Sequence, residues 1–511
     1  MIKKSPWKVI FEHHSGPARL RRRFGHTAPL GALYGRNSRE GGRIKASVVE
    51  KITFQGLSLT CFCVLLAGCT FIPKYHRPPL PVPEHFANTN SKTPQAGVTA
   101  YAVGRRDFFK DPRLRKLIEL ALQNNRDYRV ALLNVQEIQA QYRIVNYAFL
   151  PTFEIDADNL RQRALTTGNK FAEIHNYTAE VNSSYELDLF GHIRSLQAQV
   201  LEQYLATQEA SRAAQITLVA EVATQYLNMQ ALDEQLALAG RTLSSVQSYY
   251  GLIEKSYKLG NSSALDLQLA QTQVQTVRVA IAGYERQLAQ AKDALTLLVG
   301  EALPADLPAP RPLESQDLME DLAVGLSSDL LERRPDILEA EHNLKAANAN
   351  IGAVKAAFFP SITLTASDGT ASVKLTQLFE HNVWSFEPQI SLPLFNQTTN
   401  FANLNAARVS EKIAIAQYEK AVQTAFSEVS DAIAARDTLN EQIKAQRKLV
   451  KAEEQRYDLS QARYLNGIDS YLTVLLAQQD LLNAKANLIQ VSAERLDNLI
   501  SLYKALGGGW K

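Results

Sequence analysis

Cysteine is confined to one window of this chain: Cys61, Cys63 and Cys69 are the three in 511 residues. Everything beyond position 69 is therefore without a disulfide, a thiolate nucleophile or a cysteine metal site. Glycine and proline are missing from two long tracts. There is neither between Asn396 and Asn466, and only Gly240 and Gly251 interrupt the stretch from His192 to Leu259. With no breaker, each tract reads as one helix of about 66 residues, which at about 1.5 Å per residue is a rod of roughly 100 Å. Ordinary globular helices run three or four turns. Catalytic spacings are missing too. His76, His85, His175, His192, His342 and His381 are scattered, and no His-Glu-x-x-His, Gly-x-Ser-x-Gly or phosphate-cradling glycine loop occurs. An enzyme is disfavoured on these grounds, and no cofactor is called for.

Basic excess is also missing from most of the chain. The net charge of +3 hides +9 over residues 1–68, including Arg19, Arg21, Arg22 and Arg23, against −6 over the rest. Nucleic acid is thus not indicated as a partner. The apolar run 57–68 is about twelve residues, too short for a spanning helix but suited to a signal-peptide core. It follows Lys51 and ends in Leu66, Ala67, Gly68 and Cys69, a pattern resembling a bacterial lipobox, with Cys69 as the lipidated residue. A buried core strand is the other way to read such a run. Its depth in the chain, with no Met between Met1 and Met229, leads us to expect a start at Val48 or Val49. On this reading 1–47 is a doubtful extension, 48–68 a lipoprotein signal peptide and 69–110 a lipidated proline-rich linker.

What is present is a duplication. Tyr257, Gly260, Ser263, Leu265, Leu269 and Gln271 recur as Tyr464, Gly467, Ser470, Leu472, Leu476 and Gln478. Pro151 matches Pro360, Phe190 matches Phe395, and Glu221-Val222 matches Glu428-Val429. Repeat one is expected over 111–300, a proline-rich connector over 301–325, repeat two over 326–506 and a tail over 507–511. Each repeat reads helix, strand, strand, very long helix, glycine turn, long helix.

The strands alternate with period two. Tyr177, Ala179, Val181, Tyr185, Leu187 and Leu189 oppose Thr178, Glu180, Asn182, Ser184, Glu186 and Asp188. Phe153, Ile155 and Ala157 oppose Glu154, Asp156 and Asp158; Ile362, Leu364 and Ala366 repeat the pattern; and Trp384, Phe386, Ile390, Leu392 and Leu394 oppose Ser385, Glu387, Gln389 and Ser391. On its own this alternation fits a soluble antiparallel sheet. The rods carry narrow seams at steps of three and four: Ile216, Val219, Val222, Tyr226 and Met229, then Tyr418, Val422, Phe426, Val429 and Ile433. If the strands face lipid, four cannot close a barrel, whereas twelve from three chains can.

The lipobox and the Pro73-Lys74-Tyr75 linker, the doubled Tyr-x-x-Gly turn, Arg334-Pro335-Asp336-Ile337 and the ending 502–510 together resemble the outer-membrane efflux proteins of the TolC type. Within that family the chain is most similar to the lipoprotein branch, OprM-like or NodT-like, that serves resistance-nodulation-division pumps. The resemblance covers about residue 57 to the end. It implies a mainly α fold with a β-barrel part, in which a homotrimer joins a twelve-stranded outer-membrane barrel to a twelve-helix periplasmic tunnel. It implies export of drugs or other small molecules, an inner-membrane pump, outer-membrane lipid, and a periplasmic adaptor docking at the turns through Tyr257, Gly260, Ser263, Tyr464, Gly467 and Ser470. Asp266 and Tyr464 match family positions near the inner mouth, so a constriction is expected from Asp266, Asp469, Thr473 and Leu476. The bland readings stay open. The turns could be plain corners, with Ser263 and Ser470 as helix caps, and Asp266 an exposed helix-start acid. A type I protein-secretion channel and a periplasmic coiled-coil scaffold are the alternatives in function.

Overall fold

The computed structural model describes residues 70–83, 86, 98–99, 103–166, 170–316, 318–319, 322–323, 333–395 and 397–508. All of them fall within the unit Val64–Lys511. Cys69 and residues 1–68 lie outside the described residues.

Apart from two further helices at the front of the first, the two halves share the order helix, strand, strand, very long helix, long helix. The first holds α1 (Arg105–Phe108), α2 (Pro112–Asn124), α3 (Arg126–Tyr147), β2 (Thr152–Thr166), β3 (Lys170–Leu187), α4 (His192–Lys258) and α5 (Ala264–Val299). The second holds α6 (Pro335–Ala356), β5 (Ser361–Ser372), β6 (Asn382–Ser391), α7 (Gln397–Leu465) and α8 (Tyr471–Ala505). A parallel pair, β1 (Val98–Thr99) with β4 (Leu322–Ala323), ties the segment before α1 to the connector. The lengths match closely: α3 and α6 have 22 residues each, α4 has 67 against 69 in α7, and α5 has 36 against 35 in α8.

Local chemistry sets the ends of these helices. Asp111 caps α2, accepting from the Arg113 N–H at 2.9 Å, with Pro112 in the first turn where its missing donor costs nothing. Asn125 caps α3 by accepting from the Tyr128 N–H at 2.9 Å. The same Asn125 amide donates to the Leu298 carbonyl at the end of α5, 2.9 Å away. At the equivalent place in the second half, buried Arg334 donates to the Ala505 carbonyl at the end of α8 at 3.1 Å, and pairs with Asp336 and, at 2.7 Å, Glu428. The motif Arg334-Pro335-Asp336 thus fastens the returning helix to the start of the next. Asp188, expected on the polar face of a strand, instead lies past the end of β3. It accepts from the Ile193 and Arg194 N–H groups at 3.1 and 3.0 Å, because the unsatisfied first turn of α4 is the stronger demand on a carboxylate.

The seams of the rods are the core. Ile216, Val219, Val222, Tyr226 and Met229 are buried, as are Tyr418, Val422, Val429 and Ile433, with Phe426 packed against them. The α4 rod packs against α3, α5, α6 and α8, and α7 packs against α6 and α8. Gly240 and Gly251 sit inside α4 without ending it.

Residues 70–83 form an extended strap along α6. The Phe71 ring stacks on Phe359 at 4.6 Å, and Phe359 on Phe190 at 5.0 Å. Asn348 donates to the Pro73 carbonyl at 2.9 Å, and Arg77 grips the buried Glu341 at 3.2 and 2.7 Å. Lys345 adds a third contact to Glu341 at 3.3 Å. From Ile72 to Arg77 the strap descends about 16 Å at about 3.1 Å per residue, and α6 falls by the same amount from Gly352 to Glu341. A Cβ on Gly352 would lie 2.6 Å from the Ile72 side chain and 2.9 Å from its backbone nitrogen. Glycine is what lets the strap lie flat.

The sheet runs β2-β3-β5-β6, all antiparallel. Registers such as Ile155↔Val181, Val181↔Asp368 and Ile362↔Ile390 put Phe153, Ile155, Ala179, Val181, Ile362, Leu364, Phe386 and Ile390 on one face. Glu154, Asp156, Glu180, Glu186, Thr365 and Glu387 share the other. Among the described residues nothing covers the apolar face: Ile155 is 82% exposed, Phe153 72% and Trp384 74%. Among the described residues both edges, β2 and β6, are unpaired.

Candidate functional site at the two helical turns

The two turns between long helices fold alike because the same residue stands at the same point. Gly260 and Gly467 have φ of 78° and 72°, in the left-handed region that favours glycine. In the first turn the Gly260 N–H donates to the Tyr257 carbonyl at 2.9 Å and the Asn261 N–H to Ser256, also at 2.9 Å. In the second, Gly467 donates to Tyr464 and Ile468 to Arg463, again at 2.9 Å. Both are Schellman endings, which satisfy carbonyls that the helix leaves open.

Beyond the glycines the two copies diverge. Ser263 caps α5 in a full capping box: its hydroxyl accepts from the Asp266 N–H at 3.1 Å, and Asp266 accepts from the Ser263 N–H at 3.2 Å and hydroxyl at 2.7 Å. Ser470 stands at the start of α8 but makes no side-chain cap bond. Its expected capping role is therefore not filled, and the Thr473 N–H bonds the Ser470 carbonyl at 3.1 Å instead. The second turn is held by charge: Arg463 forks onto Asp469 at 2.6 and 3.0 Å. That guanidinium holds the Asp469 carboxyl below the usual range.

Between the turns lies a tyrosine cluster. The Tyr464 ring is 5.6 Å from Tyr471, and Tyr471 is 6.4 Å from Tyr249. Burial, and then the Asp266 carboxylate, push the Tyr464 phenol up, against a hydrogen bond with Ser262 that lowers it. The Asp266 carboxylate of one turn thus acts electrostatically on the Tyr464 phenol of the other. Burial first, then neighbouring tyrosines, push Tyr471 and Tyr249 up to about 12. These phenols stay neutral donors at any physiological pH. Tyr249 and Tyr471 escaped the sequence reading. The signal for Tyr471 was available, since it stands where the first copy has Ala264.

The rest of the site is open surface. Tyr257 is 43% exposed and Leu476 52%, and Thr473 is exposed. Leu259, Leu265, Leu465, Ile468 and Leu472 project outward around the glycines, five exposed apolar side chains at two turns. Gln478 turns inward, 3.5 Å from Ser245 on α4. Among the described residues no group of His, Cys, Asp and Glu is arranged to hold a metal ion. Among them also, no helix is long and apolar enough to cross a membrane.

A sheet with one bare apolar face, joined to rods that return at paired glycine turns, is the architecture this chain shares with solved outer-membrane channels. The chain belongs to the outer membrane efflux protein family, whose model matches residues 117–301 and 326–508. It is 45% identical over 462 residues to the toluene efflux pump outer membrane protein TtgC of Pseudomonas putida, covering 89% of this chain and 95% of that one. Against the cation efflux system protein CusC of Escherichia coli O157:H7 it is 40% identical over 460 residues, covering 88% and 98%. The open-state MtrE outer membrane channel of Neisseria gonorrhoeae superposes with a TM-score of 0.79 at 39% identity, covering 87% of this chain and 99% of that one. The chain is thus an outer-membrane efflux channel that reaches into the periplasm, in a family of channels and not of enzymes.

Proposed function

We propose that three copies form one passive conduit, with twelve strands closed as a barrel in the outer membrane above a periplasmic tunnel of helices. The observation that carries this is the four-stranded sheet with a bare apolar face and two free edges. In hydrocarbon each unpaired backbone group costs several kcal/mol, so the edges demand partners. The polar face, with Glu154, Asp156, Glu180 and Glu387, then lines a water-filled bore. Cys69, one residue ahead of the strap, carries the lipid, and the strap leads from it down α6. The spans 111–300 and 326–506 act as the two efflux repeats, joined by 301–325.

On this reading the turns are the periplasmic tips. Tyr257, Gly260, Ser263, Tyr464, Gly467 and Ser470, with the exposed leucines around them, form the surface for a periplasmic adaptor that links the channel to an inner-membrane pump. Asp266, Asp469, Thr473 and Leu476 form the constriction. Cargo is small molecules chosen by the inner-membrane pump: relatives of similar likeness are named for toluene and for cations, so the shared conduit does not do the choosing. No step of chemistry is assigned to any residue.

Purified protein reconstituted in a planar bilayer is expected to give stepwise conductance, with the mass of three chains by native mass spectrometry. A non-conducting monomer would overturn the conduit. Mass spectrometry of the N-terminal peptide checks the lipid on Cys69.

A further inference from the structure

We infer that the β6 edge of one copy pairs antiparallel with the β2 edge of the next, with Ile390 opposite Ile155 of the neighbouring copy. This rests on the trimeric reading and adds its register. The ground for it is the internal repeat. By sequence, β2 maps onto β5 through Thr152 to Ser361, and β3 maps onto β6 through Leu187 to Leu392. The β3–β5 pairing joins the two halves inside one chain, and its image under that mapping joins the second half of one chain to the first half of the next. Tyr185↔Leu364 becomes Ile390 opposite Ile155, and Leu187↔Ile362 becomes Leu392 opposite Phe153. Glu186↔Thr363 becomes Ser391 opposite Glu154.

Three independent observations agree with this placement. Every side chain falls on its proper face: Ile390, Leu392, Phe153 and Ile155 join the apolar side, and Ser391 and Glu154 the polar side. A slip of one residue would place Ile390 opposite Glu154 or Asp156 and turn the neighbour's acids to lipid.

The helices show the same want of a neighbour. In α6, eleven residues are buried, among them Ala353 and Ala356. Their counterparts in α3 are Ile144 and Tyr147, which are 69% and 62% exposed, and α3 has no buried residue at all. Since α6 is packed between α4 and α7, the cover that α3 lacks is the face of α7 on the neighbouring copy. There Phe401, Val409 and Ile413 stand exposed.

Closure supplies the third. Ile155 lies level with Val181, Asp368 and Trp384, and the inferred pairing carries that row to Arg161 of the next copy, six residues along β2. Three copies accumulate a stagger of about 18 residues, which over twelve strands about 4.8 Å apart tilts them by roughly 45°, within the habit of membrane barrels. A two-residue slip that lengthens the stagger would need roughly 55°. The β5–β6 hairpin is itself offset by two residues from the β2–β3 hairpin under the mapping, Ser361 facing Ser391 where Gln389 would be the image of Ser184. Such an offset keeps the faces, so the experiment must resolve two residues.

The test is cysteine pairing in outer membranes. Ile390→Cys is combined in turn with Phe153→Cys, Ile155→Cys, Asp156→Cys and Ala157→Cys, and Ser391→Cys with Glu154→Cys reads the opposite face. After mild oxidation, non-reducing gels should show covalent dimer and trimer most strongly for Ile155 with Ile390 and for Glu154 with Ser391. Heat-modifiable migration of each unoxidised variant checks that it has assembled. Stronger linkage of Ile390→Cys to position 153, 156 or 157 would overturn the register while leaving the trimer standing. Absence of linkage in assembled variants would overturn the β6–β2 interface. Native masses of one chain for the unsubstituted protein would sink the trimeric reading itself.

Discussion

Asp266 shows how one side chain can serve two neighbours that its position in the sequence does not separate. Sequence placed it near an inner mouth or else at a helix start, and the structure gives it two sets of neighbours at once. Its carboxylate completes the Ser263 box and also acts on Tyr464 across the turn. Removing it therefore has two effects that need separating. Asp266→Asn keeps acceptor oxygen and drops the charge, whereas Asp266→Ala also removes the reciprocal half of the capping box, at a cost of up to about 1 kcal/mol. We expect both variants to raise single-channel conductance equally if charge holds the constriction, with only the alanine variant lowering the unfolding midpoint. Conductance unchanged in both would remove Asp266 from the gate. At Gly467 a Cβ would meet nothing within 4 Å, so the burden of a side chain is the positive φ alone. Gly467→Ala should cost about 1 kcal/mol, and Gly467→Trp should leave trimers in the membrane yet abolish export. Loss of the trimer in Gly467→Trp would point to folding instead.

At the scale of elements, periodicity carried most of the information. The absence of breakers marked α4 and α7 to within a residue or two of their ends, and period two marked the strands. What escaped were interactions between elements distant in sequence. Nothing in Tyr75 or Arg77 announces Glu341 more than 260 positions away, and a proline-rich stretch reads as a linker because proline excludes helix, not because it excludes packing. The strap carries a pH signature. Burial of Glu341 pushes its carboxyl up, but the bonds from Arg77 and the charge of Lys345 outweigh it and hold the group below its ordinary range. A depressed folded value means stability is present in full above the ordinary carboxylate range, near pH ~4.3, and is lost as pH falls through the folded value. Limited proteolysis should therefore cut within 70–83 below about pH 4 and not at neutral pH. Gly352→Ala should open the same site at neutral pH by evicting Ile72, and resistance to protease in that variant would show that the strap accommodates the methyl.

For the molecule as a whole, the duplication fixes more than kinship. If three chains close a ring, as proposed, two repeats per chain make every second junction internal and visible, so the junctions between copies can be deduced from those within one. The repeats are not copies, however. The first tip is closed by a serine-aspartate box and the second by an arginine-aspartate fork, and only the second adds Tyr471. Disrupting Arg463 should thus loosen the second tip and leave the first intact. Adaptor cross-linking to positions beside Gly467 is expected to fall in Arg463→Ala while cross-linking beside Gly260 holds. An equal fall at both would mean the tips move as one.

The strands differ in reach as well. β3 has 18 residues and β5 only 12, and β3 meets β5 no further out than Tyr177 opposite Ser372. Within the chain, positions 170–176 pair with β2 alone and carry that hairpin roughly 20 Å past β5. On the proposed trimeric reading three such hairpins rise at the rim, with Arg161 and Glu173 bridged at 3.1 Å within each. On that reading the hairpins face outward from the cell, a surface that a phage tail or an antibody would meet. Serum raised against the 160–176 peptide should label living cells, while serum against either glycine turn should need the envelope broken first.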